Sequence, residues 1–137
     1  MCKIGDIIVI KEFKNEYGEK VKKHSFIVIN DNNDYVEGLN YDMVTNMMCS
    51  FHNDEHKKRK LKYQENIFIS KHSVIGKYLN SKDGFIKADQ LYYFNKKKIK
   101  YNVIGQLDKK IFNELLYLID KMYKKHKIKR IITNLIK

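Results

Sequence analysis

The sequence predicts a mainly β chain with a C-terminal helix packed on a small curled sheet or barrel. Three observations predict it. Short, β-branched apolar runs recur from Ile4 onward, separated by polar or glycine-containing turns. The clearest helical period comes late, with Ile111, Leu115, Leu118, Ile119 and Met122 at three- and four-residue spacings. No repeat and no linker-like stretch interrupts the chain, so residues 1–137 read as a single domain.

Residues 4–10 and 25–30 are the first two predicted strands, joined by a charged loop over residues 11–23 that holds Gly18. Asp31-Asn32-Asn33-Asp34 is a turn cluster. Tyr35 to Leu39 reads as a short strand broken by Gly38, and Met43 to Phe51 as another strand. His52 to Lys62 is so highly charged that it reads as a loop, and Ile67 to Ile69 as a short strand. Lys71 to Leu79 is expected to be a helix of about two turns. Gly84 to Phe94 is expected as one strand, and Tyr101 to Leu107 as another, broken by Gly105. Asp108 stands where an N-cap carboxylate would accept a backbone N–H at the start of the main helix. The tail from Ile128 is a short amphipathic helix or a final strand. Gly5, Gly38 and Gly105 are expected at bends, where a Cβ would interfere.

Net charge is +12, from 28 basic and 16 acidic residues. Lys57-Lys58-Arg59-Lys60, Lys96-Lys97-Lys98 and the stretch from Lys121 to Arg130 concentrate that charge locally. Local clusters point to a polyanionic partner. Abundant Lys, Asn, Ile and Tyr without Pro also follow from an AT-rich coding sequence, so the inference rests on clustering and not on the total. No apolar run approaches the ~20 residues of a membrane span, so no membrane association is expected. Lys3 and Asp6 interrupt any signal-peptide pattern, and a cytoplasmic location is expected. Cys2 and Cys49 form no CxxC pair and read as free thiols. His52-Asn53-Asp54-Glu55-His56 formally fits H-x-x-E-H, a zinc-protease pattern. That pattern needs a helix presenting both histidines on one face and a distant third ligand. Here it abuts four consecutive basic residues, so neither a metal nor another cofactor is expected.

The order Gly5-Asp6-Ile7-Ile8-Val9-Ile10, variable loop, basic residues, Phe26-Ile27-Val28-Ile29-Asn30-Asp31 resembles the opening of the MazF/PemK (Kid) toxins of type II toxin–antitoxin systems. Met43 to Ser50, Gly84 to Phe94 with its Asp89-Gln90-Leu91 step, and Val103 to Asp108 before the helix continue the resemblance from Ile4 to about Tyr123. It implies an SH3-like small β-barrel with a C-terminal helix packed on it. It further implies a homodimer that cleaves single-stranded RNA without a metal and is blocked by an antitoxin protein. The family's second strand usually begins Arg-Pro, with a catalytic Arg. This chain has His24-Ser25 there. The family's catalytic Thr or Ser at the end of the third strand falls near Cys49-Ser50.

RNA cleavage by its own 2′-hydroxyl needs a proton acceptor, a proton donor and stabilisation of charge on phosphorus. His24 can do either proton task. Lys22 or Lys23 can stabilise the phosphate, and Ser50 can hydrogen-bond a phosphate oxygen. Strand alternation lets only one of Ser50 and Cys49 face the groove; counting from His24 favours Ser50, with Cys49 the alternative. Lys57, Lys58, Arg59 and Lys60 are expected to bind phosphates from a mobile loop, with Tyr63 stacking on a base. Gln90 is expected to contact RNA and Tyr92 to stack. A non-catalytic SH3-like nucleic-acid- or protein-binding module is the second reading, favoured by the missing Arg-Pro pair.

Overall fold

A computed structural model describes residues 2–36, 38–75 and 83–134. Its described residues form a mainly β architecture with two α-helices. In chain order the strands are β1 (Asp6–Ile10), β2 (Phe13–Lys14), β3 (Lys20–Val21), β4 (His24–Asn30), β5 (Asp34–Val36), β6 (Leu39–Tyr41) and β7 (Met43–Ser50). Helix α1 (Asp54–Leu61) follows, then β8 (Asn66–Ile69), β9 (Val74–Ile75), β10 (Gly84–Lys87), β11 (Gln90–Phe94) and β12 (Tyr101–Leu107). The chain continues into α2 (Lys109–Lys124) and β13 (Lys129–Ile132).

The main sheet runs β13-β11-β7-β4-β1-β12-β9, with β10 paired to β7 and to β8. Strand β7 organises it. Its first half pairs with β11 and its second half with β10, while β4 lies along its other edge. All these ladders are antiparallel except β11–β13, which is parallel and is reached through α2. Over Lys129–Ile132 the expected helix or strand in the tail is therefore a strand, and residues 135–137 of that expectation lie outside the described residues.

Both faces of the sheet are covered, which explains why β1 is an unbroken apolar run. Ile7, Ile27, Met48, Ile86 and Leu107 pack under Leu115 of α2 on one face. Ile8, Ile10, Phe26, Val28, Met43 and Phe94 form the other, with Phe13 closing it. Phe13, Phe26 and Phe94 meet edge to face at 5.1–5.6 Å between centroids, a favoured aromatic geometry. Asp108 caps α2 as expected, accepting from Lys110 N and Ile111 N. Gly5 sits at φ 91° and Gly38 at φ 80°. Gly105 faces Ile7 where the β1–β12 register slips by one residue.

Four expectations are corrected. The charged stretch after Phe51 is not a loop. It contains α1, capped by the Asn53 side chain, with Asp54 and Glu55 in its first turn and Lys58, Arg59 and Lys60 in its last, as the helix dipole favours. Residues 71–75 do not form the expected two-turn helix: Lys71–Ser73 make a single 3-10 turn capped by Ser70, and Val74–Ile75 pair with β12. The rest of that expected helix, 76–79, lies outside the described residues. Gly84 to Phe94 is not one unbroken strand: β10 and β11 follow one another in the same direction along one edge of β7, interrupted by a turn at Ala88–Asp89. Buried Asn46 donates to the carbonyls of Lys87 and Gln90 at 3.0 and 2.9 Å and so fixes the turn between β10 and β11. Within the expected loop of residues 11–23, β2 and β3 pair, with the Asn15 side chain accepting from the Tyr17 and Glu19 N–H groups.

Candidate functional site

A cleft of about 540 Å³ opens where the start of β4, the end of β7, α1 and β10 converge. Lys23, His24, Ser25, Cys49, Ser50, His52, His56, Lys60, Gly84, Phe85 and Lys87 line it, with Met48 and Ile69 at its base. Six of these side chains are lysine or histidine, and no carboxylate is among them. Gly84 is required at the wall: a Cβ there would collide with the Cys49 carbonyl.

His24 is half-buried at the first position of β4. Its Nδ1 lies 2.8 Å from the Lys22 carbonyl oxygen. A carbonyl only accepts, so Nδ1 carries the hydrogen in that bond, and in the neutral ring Nε2 is left as the basic nitrogen.

His56 is turned inward by α1. It is buried between Phe51 and Phe85, with ring centroids 6.1 and 6.0 Å away. Its Nδ1 accepts from the His52 backbone N–H. Burial lowers its pKa, and neighbouring His52, Arg59, Lys60 and Lys87 lower it further. The neutral ring therefore presents Nε2–H as a donor. His52 is exposed beside it, with the two rings 4.5 Å apart.

The register sets Ser25 opposite Met48, which carries His24 to Cys49 on one face. Ser50 lies on the other face, opposite Gly84. Both residues still line the cleft, because it wraps around the strand end. Burial raises the Cys49 thiol pKa, opposed by Lys87 and Lys60. A neutral thiol is a poor nucleophile.

A smaller recess of about 70 Å³ shares Cys49 and Lys87 with the cleft and adds Met47, Gln90 and Tyr92. Gln90 and Tyr92, on β11, line this neighbouring recess and not the cleft itself. The Tyr92 ring is packed against Phe13, Phe26 and Phe94, and burial raises the pKa of its hydroxyl. The expected stacking face is already occupied by the core.

Of the basic series on α1, Lys60 reaches the cleft. Lys57 instead places Nζ 4.9 Å from the Phe68 ring centroid and 3.8 Å from Asp83. Lys58 and Arg59 do not line the cleft, and Tyr63 lies beside a separate hollow with Lys62, Asp89 and Lys125. Lys22 contributes its carbonyl to His24. The sequence reading missed three contributors. His52 and His56 were visible in H-x-x-E-H but assigned to a loop. Lys87 gave no signal, being an ordinary polar residue in a strand.

Among the described residues, no group of three His, Cys, Asp or Glu side chains is placed to hold a metal ion, and no helix is long and apolar enough to cross a membrane. No protein-family model, curated protein or solved structure matches the chain.

Proposed function

We propose that the chain is an endoribonuclease that cleaves single-stranded RNA in this cleft by attack of the RNA's own 2′-hydroxyl, without a metal. The observation that carries the reading is the lining itself: His24, His52 and His56 converge with Lys23, Lys60 and Lys87, with no carboxylate among them. A cleft of one charge sign concentrates a polyanion, and imidazoles supply proton transfer near neutral pH.

His24 Nε2 accepts the 2′-hydroxyl proton as O2′ bonds to phosphorus. The bond from phosphorus to O5′ breaks, and His52 in its protonated form returns a proton to that oxygen. Lys23, Lys60 and the His56 Nε2–H donor face the charge that builds on the phosphoryl oxygens. The products are a 2′,3′-cyclic phosphate and a 5′-hydroxyl. The MazF/PemK-like reading belongs to the same proposal, with its SH3-like barrel, homodimer and antitoxin. It is supported by the ordered strand motifs of the sequence.

One observation favours a binding module that does not cleave: His24 stands where the resembling family carries its catalytic Arg. Incubating the protein with a long single-stranded RNA in EDTA separates the two. Cleavage that His24→Ala abolishes supports the nuclease, and salt-sensitive binding without cleavage supports the module.

A further inference from the structure

We propose that single-stranded RNA leaving this cleft crosses the end of the sheet to a second phosphate-binding recess formed by Lys11, Lys14, Lys97, Lys98 and Lys100. The inference rests on the RNA reading above and extends it to substrate length and register.

Strand register creates the path. Ile10 at the end of β1 pairs with His24 on one side and with Tyr101 on the other. Three strands therefore end in line. The segments just beyond them emerge together: Lys22-Lys23 before β4, Lys11 after β1, and Lys96 to Lys100 before β12. Neighbouring strands are about 4.8 Å apart, so His24 and Tyr101 are roughly 10 Å apart across the sheet. Lysines thus follow one another along the aligned strand ends from the cleft rim to the far edge.

At that edge lies a recess of about 550 Å³, lined by those five lysines with Glu12, Phe13, Ile99 and Asn134. Its single carboxylate, Glu12, is 3.1 Å from Lys20 and so is partly neutralised. All five lysines are exposed. Asn134 closes one wall of the recess. Its Oδ1 accepts from Lys14 N at 2.7 Å, which orients the amide, while the buried Nδ2 has no hydrogen-bond partner among the described residues. The five exposed ammonium groups gathered around one recess suit phosphate oxygens. The Lys96-Lys97-Lys98 cluster, which takes no part in the cleft, gains a role here.

The test measures fluorescence anisotropy with non-cleavable 2′-O-methyl RNAs, a short one of about 3 nucleotides and a long one of about 12, a length within the range of known single-strand sites. Lys97, Lys98 and Lys100 are replaced together by Ala; all three are exposed, and an unchanged melting curve checks the fold. A control variant replaces Lys109, Lys121 and Lys125, removing equal charge from α2 and its end. The recess variant is expected to bind the long RNA at least about tenfold more weakly, with a salt slope smaller by about 2, while short-RNA binding is unchanged. An unchanged long-RNA affinity and slope overturns the path, as does an equal loss in the control variant or an equal loss with the short RNA. If the wild-type protein binds neither RNA, the proposed function fails together with the path.

Discussion

The backbone N–H of His52 donates to Nδ1 of His56 at 3.1 Å, and the two rings lie 4.5 Å apart. One short segment, the N-terminus of α1, therefore fixes one imidazole as a neutral donor and leaves the other exposed beside it. His24 faces them from β4 with its own Nδ1 engaged by the Lys22 carbonyl. One strand and one helix terminus thus set three imidazoles in different hydrogen-bonding states around one cleft.

His24→Ala is expected to lower RNA cleavage by about 10²–10⁴-fold, the usual contribution of a general base. Binding of a non-cleavable RNA should change by only a few-fold, since Lys23, Lys60 and Lys87 remain. Gel analysis of single-turnover cleavage beside an anisotropy titration reads both. Equal loss of binding and cleavage would make His24 a binding residue.

The lowered His56 pKa makes stability depend on pH. As pH falls, the unfolded chain takes up the His56 proton before the folded chain does. Stability is then complete above the ordinary histidine range and declines as pH falls through that range toward the lower folded value. The melting temperature is expected to drop between about pH 7.5 and about pH 5.5, and to drop less in His56→Phe, which keeps an aromatic ring between Phe51 and Phe85. Identical pH dependence in both proteins would contradict a buried neutral imidazole.

Cys49→Ser is expected to keep cleavage within about threefold of wild type, because a half-buried thiol whose pKa is raised neither attacks nor transfers a proton readily. Alkylation mapped by peptide mass spectrometry should be slow at Cys49 near neutral pH. Rapid modification with matching loss of activity would put the thiol back into the chemistry.

Asn46→Leu removes both donors that hold the β10–β11 turn and leaves the Lys87 and Gln90 carbonyls without them. A loss of about 1–3 kcal/mol in urea unfolding is expected, the cost of buried polar groups left unpaired. A variant as stable as wild type would show that water satisfies the turn.

Local pattern revealed the strands that are apolar on one or both faces and the helix with a wide apolar stripe, from Ile111 to Met122. It failed where the deciding contact was distant or the pattern was weak. Helix α1 buries only His56 and has almost no apolar period to read, although Asn53, Asp54 and Glu55 carry a start signal. The apolar run from Gly84 to Phe94 continues through Ala88, so nothing local announces the turn that Asn46 imposes from β7. The site divides in the same way. Lys23 and His24 stand out at the start of an apolar run after a charged loop, while Ser50 and Cys49 stand out only through the resemblance to the toxin family. Lys87 enters the cleft only through the pairing of β10 with β7, and His52 and His56 only once α1 is recognised as a helix.

The most direct measurement is the chemistry of the RNA ends produced by purified protein in EDTA, read by mass spectrometry. Fragments ending in 2′,3′-cyclic phosphate with 5′-hydroxyl partners, lost in His24→Ala, are predicted. Intact RNA, or cleavage that EDTA abolishes, would contradict a metal-free histidine cleft.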